Sequence, residues 1–106
     1  MSAELTVISW RDIPAQVIAR SGRVKARSEL PARFQTAIDR AAMNAGLFGS
    51  DTYLEEWRRE TRPCGEDLDA EVAAEVERIL AAHPPELLNR LVDNNGRNGT
   101  PDRENT

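Results

Sequence analysis

One cysteine and one histidine in 106 residues remove whole classes of chemistry before any motif is sought. A lone Cys64 cannot close an intramolecular disulfide, so nothing in the chain calls for an oxidising compartment. Zinc asks for three or four His, Cys or carboxylate ligands, and Cys64 and His83 lie a helix apart, so neither a metal nor any other cofactor is expected. As a nucleophile Cys64 would need a neighbouring base in an electropositive setting. Arg62 is near, but Glu66 and Asp67 oppose it, and the thiol reads as a spectator in a loop. The 18 carboxylates guarantee chance pairs, so no acid/base couple can be singled out. Gly46-Leu47-Phe48-Gly49 lacks both the lysine of a phosphate loop and the spacing of a dinucleotide fingerprint. No apolar run approaches the ~20 residues of a membrane span, and the first residues lack a basic leader region, so a cytoplasmic protein without a membrane partner is expected.

Aromatics are scarce too, and their placement is lopsided. Trp10, Phe34, Phe48, Tyr53 and Trp57 all fall in the first part of the chain. So does most of the positive charge. Residues 1–62 carry 10 Lys/Arg against 8 Asp/Glu, whereas residues 63–106 carry 4 against 10. An acidic chain with this split is a poor prior for a dedicated nucleic-acid binder, and any contact surface belongs to the first half. With 40% hydrophobic and 30% charged residues the composition is that of one globular domain.

Local patterning predicts an α+β fold. Residues 4–10 are rich in β-branched and aromatic types and read as a strand, 11–14 as a turn, 15–20 as the returning strand. Strict alternation over 23–27 adds a third short strand, with Arg23, Lys25 and Arg27 on one face. Phe34, Ala37, Ile38, Ala41, Ala42 and Ala45 form the stripe of a helix over about 31–45, with Ser28 as N-cap and Gly46 as its stop. Thr52 and Glu55 have capping-box spacing and open a second helix through 59, exposing a Glu55–Arg59 pair and burying Trp57. Residues 62–65 read as a loop, 67–83 as a third helix and the stretch after Pro84-Pro85 as a short fourth. The expected architecture is a small antiparallel sheet of two to three strands packed against three to four helices. Residues 1–93 form the domain. Residues 94–106 hold no aliphatic or aromatic side chain to offset an ordering cost of ~1–2 kcal/mol per residue, and read as a disordered tail whose deletion leaves the melting temperature unchanged.

The best polar signal is the basic stretch from Arg11 to Arg40. Its ordinary reading is a solvated strand face that guards an edge against pairing. Among functional readings a protein partner outranks nucleic acid, because no aromatic is interleaved with the cations to stack a base. Trp10, between Ser9 and Arg11 at a strand end, reads as a half-exposed interface anchor, and Trp57 as core.

The segments Trp10-Arg11-Asp12-Ile13-Pro14-Ala15-Gln16-Val17, Ala37-Ile38-Asp39-Arg40-Ala41-Ala42 and Tyr53-Leu54-Glu55-Glu56-Trp57-Arg58-Arg59 resemble the small bacterial virulence factor domain family over about residues 4–62. The family is similar to a segment of larger conserved virulence factor C type proteins. Its label records a phenotype and brings no catalytic residues. The resemblance also implies a genomic neighbourhood of folate- and corrinoid-dependent one-carbon enzymes, hence an accessory role. The leading expectation is a non-enzymatic accessory or interaction subunit that meets another protein through Trp10, Arg11, Asp12, Arg23, Lys25, Arg27, Arg33, Arg40 and Arg58. The alternatives are a subunit binding a folate- or corrinoid-like anion through converging Arg11, Arg40 and Arg58, and a nucleic-acid module using the strand stripe.

Overall fold

The computed structural model describes residues 3–98. Its elements run β1 (Ala3–Trp10), β2 (Ile13–Ser21), β3 (Val24–Glu29), α1 (Ala32–Asn44), α2 (Asp51–Glu55), β4 (Trp57–Cys64), α3 (Leu68–Ala82) and α4 (Pro85–Asp93). The four strands make one antiparallel sheet in the order β3-β2-β1-β4. The fold is α+β as expected, with one strand more than the sequence reading allowed.

That extra strand is the main correction. Residues expected to continue a helix to 59 and then form a loop pair with β1 in an unbroken ladder from Ala3↔Cys64 to Trp10↔Trp57. β4 reads Trp-Arg-Arg-Glu-Thr-Arg-Pro-Cys and is exposed along nearly its whole length. It has no apolar alternation because it is an edge strand, where charge and a proline are tolerated and discourage further pairing. The helix before it is only one turn long. Ser50, not Thr52, caps it, accepting from the Tyr53 N–H at 3.2 Å. Glu55 and Arg59 therefore lie on different elements and form no helical pair. Ser28 likewise sits in β3, and Pro31 is the N-cap residue of α1, with no side-chain cap hydrogen bond.

The β1–β2 hairpin turns on Arg11 and Asp12 alone, and β2 starts at Ile13. Arg11 adopts φ 52, a left-handed conformation that costs a non-glycine residue of order 1 kcal/mol and needs a surrounding that enforces it. The register slips by one residue between Ile8 and Ser9, so Ala15 is the bulged position. Its carbonyl accepts from Leu30 N–H at 3.0 Å and ties the end of β3 to the bulge.

Pairing sorts side chains onto two faces. One face carries Ala3, Leu5, Val17 and Ala19, all buried, and α3 packs across it through Leu68, Val72 and Ile79. α1 and α4 pack on each other near the hairpin end of the sheet, burying Phe34, Ile38, Ala41, Leu88, Leu91 and Val92. The other face presents rows across β3, β2, β1 and β4. The first is Lys25–Arg20–Glu4–Pro63, the second Arg27–Ile18–Thr6–Thr61, the third Glu29–Gln16–Ile8–Arg59. A fourth, Ile13–Trp10–Trp57, is closed over. Trp10 is fully buried, donates from Nε1 to the Tyr53 carbonyl at 2.8 Å and stacks at a tilt on the Tyr53 ring.

Residues 94–98, which composition assigns to the tail, sit against the hairpin. Asp12 N–H donates to the Gly96 carbonyl at 2.8 Å, Arg11 Nη1 to the Asn95 carbonyl at 2.9 Å, and Asn98 N–H to Asp12 Oδ2 at 2.6 Å. The rest of the expected tail, 99–106, lies outside the described residues. Gly96 is needed twice over. Its φ is +87, and a Cβ there would stand 2.9 Å from the Trp10 ring. Gly96→Ala is therefore expected to cost about 1–3 kcal/mol from overpacking and left-handed strain, read as a lower denaturation midpoint. An unchanged midpoint would mean that Gly96 does not rest on Trp10.

Candidate functional site

The hairpin residues singled out by sequence turn inward. Trp10 offers no surface, and Arg11 is only 8% exposed. The Arg11 guanidinium lies over the Trp10 ring at 5.0 Å and is spent on Glu56, Nε to Oε1 3.0 Å, and on the Asn95 carbonyl. Asp12 is tied by Arg58 at 2.7 Å. Trp10 and Arg11 thus act as the hinge pin of the fold rather than as interface anchors. The sequence reading took a strand-end tryptophan for a rim residue because what covers it comes from α2 and from beyond α4.

Beside this hairpin, a cleft of about 230 Å³ opens between the sheet and α3, with Arg58, Glu60, Glu75 and His83 in its wall. Its charges are largely spent on each other. Glu75 takes Arg62 at 2.9 Å and also Arg78, and Asp12 takes Arg58. His83 closes α3, its Nδ1 hydrogen-bonded with the Ile79 carbonyl at 2.8 Å. Burial pushes the Glu75 carboxyl up, but hydrogen bonds from Arg78 and Arg62 outweigh it and hold the group below its ordinary value. A depressed carboxyl contributes stability above its unfolded pKa and loses it as pH falls through the lower folded value. Glu75→Gln should accordingly flatten the acid limb of the stability curve, which begins as pH falls toward the ordinary glutamate range of about 4 to 5 and continues below it. Identical limbs in thermal melts of both proteins would remove the pair from the account. Arg40 is elsewhere, in a groove of about 260 Å³ between α1 and α4 that Arg33 also lines. Arg11, Arg40 and Arg58 therefore do not converge.

Cys64 ends β4, and its Sγ contacts the Gly65 carbonyl at 3.4 Å. Burial and then the Glu71 carboxylate push the thiol above its ordinary value, the reverse of what a nucleophile needs. No group of three or more His, Cys, Asp and Glu is placed to hold a metal among the described residues. No helix among them is long and apolar enough to cross a membrane.

What remains exposed is the first three rows of the sheet. Every side chain in them is exposed or half-buried, and Ile8 and Ile18 stand outside the core cluster. Around these two isoleucines lie Arg20, Lys25, Arg27 and Arg59, against Glu4 and Glu29 only. None of those four cations takes part in an ion pair among the described residues. At the centre, Thr6 and Thr61 share a hydroxyl hydrogen bond of 2.8 Å. Lys25 and Arg27 lie on the face where alternation put them, while Arg23 belongs to the turn after Gly22. Sequence reasoning missed Ile8, Ile18 and Arg59. Two isoleucines in alternating strands look like core, and Arg59 was expected on a helix.

No curated protein matches the chain, and no solved structure does. The family model described as "Virulence factor" matches residues 8–92, a span that runs from the end of β1 into α4 and includes the hairpin, most of the sheet and the α1–α2 loop. With that match covering most of its length, the chain belongs to the virulence factor family.

Proposed function

We propose that this domain is a non-enzymatic accessory module that binds an acidic protein surface on the uncovered face of its sheet. The observation that carries the reading is Ile8 and Ile18, half-buried at diagonal positions on the uncovered face and outside the core cluster, ringed by four cations outside every ion pair among the described residues. A surface of this kind supplies an apolar centre that loses water on docking and a charged rim that steers and orients the partner. A row of cations on a sheet could equally meet phosphates, but no ring stands among them to stack a base. The test is affinity capture from the native host with the wild-type chain, Ile18→Glu, and the double variant Arg20→Glu/Arg27→Glu. A defined protein held by the wild type and lost with both variants is the expected result. Capture that is unchanged by the variants, or that disappears on nuclease treatment, would overturn the reading.

A further inference from the structure

A second surface, opposite in charge, lies at the α1–α2 junction. Four large hydrophobic side chains stand exposed among the described residues, and three of them cluster here in sequence: Met43 at 62%, Phe48 at 61% and Leu54 at 65%. Gly46 and Gly49, with φ +72 and +79, supply the left-handed turns of the loop that carries Phe48. A folded domain gains nothing from leaving such a group in water, and exposed apolar clusters mark contact sites.

Beside Phe48 opens a cleft of about 380 Å³, larger than the two described above, lined by Asp39, Phe48, Gly49, Asp51, Tyr53 and Leu54. The Phe48 and Tyr53 rings meet at 6.2 Å between centroids and 60° between planes, giving two aromatic walls. Asp39 from α1 and Asp51 from α2 supply two carboxylates, and neither is in an ion pair among the described residues. Asp51 also favours the start of α2 through the helix dipole. Asp39, in the middle of α1, has no such role, and among the described residues its side chain accepts a hydrogen bond from Gln35 Nε2 at 3.0 Å. No cation among the described residues lines the cleft. Burial and then the Asp39 carboxylate push the Tyr53 phenol above its ordinary value.

Aromatic walls, an apolar lip and two uncompensated anions fit one kind of side chain: apolar along its stem, planar and cationic at its head. Guanidinium stacks on rings and bridges carboxylates through its fork of donors, which the compact ammonium of lysine does less well. We propose that this cleft receives an arginine side chain displayed on an apolar segment of a partner protein, with Phe48 and Leu54 covered by the flanking residues. The site uses none of the sheet-face residues and stands independently of that reading.

The test is a ¹⁵N–¹H NMR titration of the full chain with acetyl-Leu-Arg-Leu-amide, its citrulline counterpart and n-butylguanidinium. The arginine peptide should shift the amides of Gly49, Ser50, Asp51 and Leu54. Replacing arginine by isosteric citrulline should weaken binding by about tenfold or more, as should Asp39→Asn together with Asp51→Asn. Phe48→Ala should weaken it too, while Glu55→Gln, outside the cleft, should leave it unchanged and so exclude general charge attraction. The variants are judged only where their spectra retain the wild-type dispersion, and Asp39→Asn alone serves if loss of Asp51 disturbs α2. No shifts at millimolar peptide, equal binding of the citrulline peptide, or indifference to Asp39→Asn would overturn the proposal. Binding of n-butylguanidinium as tight as that of the peptide would assign the cleft to small organic cations and overturn the partner assignment.

Discussion

Trp10→Ala is expected to lower the unfolding free energy by about 3–5 kcal/mol, the range for deleting a large aromatic from a core. For a domain of this size that is a large share of the whole stability, and the variant should be partly unfolded at ambient temperature. The indole is fully buried where β1, β4, α2 and the chain after α4 meet. Removing it empties a cavity, deletes the Nε1 bond to the Tyr53 carbonyl and strips the ring from beneath the Arg11 guanidinium. Trp10→Phe should recover much of the packing and none of the hydrogen bond. Chemical denaturation of the three proteins measures it. A cost near 1 kcal/mol for the alanine variant would place Trp10 at a surface, as an interface anchor, and would refute the packing described here.

Ending the chain at Asp93 should cost about 2–4 kcal/mol, against the negligible cost that composition suggests. Truncation removes three hydrogen bonds to the hairpin, from Arg11 Nη1, Asp12 N–H and Asn98 N–H. It also uncovers the Trp10 ring. The largest share comes from Arg11, a nearly buried cation left short of an acceptor, which is dearer than a missing contact between neutral groups. A melting temperature unchanged by truncation, with Trp10 fluorescence unshifted, would show that residues 94–98 contribute nothing to the domain.

These two effects mark where the sequence was opaque. The meander β1–β3 and the long helices α1 and α3 were legible, because alternation and the 3.6-residue stripe are local signals: Phe34, Ala37, Ile38 and Ala41 announce α1, and Leu68, Val72 and Ile79 announce α3. β4 was illegible for the opposite reason. Arg58, Arg59, Glu60, Thr61 and Arg62 carry no apolar periodicity, and only pairing with β1 makes them a strand. Residues 94–98 dock through backbone groups and through the absence of a side chain at Gly96, neither of which composition records.

The candidate surfaces followed the same logic. The basic stripe on β3 was visible from Lys25 and Arg27, since alternation alone puts them on one face. That this face stays uncovered, and that Ile8 and Ile18 share it, depends on which side α3 chooses. The α1–α2 cleft was hidden because Asp39, Phe48 and Tyr53 belong to three different segments. Only tertiary structure brings them together.

The central claim, that the sheet face docks a protein, is tested most directly on its two isoleucines. The chain has five, Ile8, Ile13, Ile18, Ile38 and Ile79, so a δ1-methyl-labelled sample gives a spectrum simple enough to assign completely. Titrating this sample with the protein captured from the native host should shift or broaden the Ile8 and Ile18 methyl signals. Ile13, Ile38 and Ile79 lie in the core and should stay in place. Perturbation of Ile8 and Ile18 alone is the predicted result. A bound complex in which these two methyls keep their free positions would contradict the account.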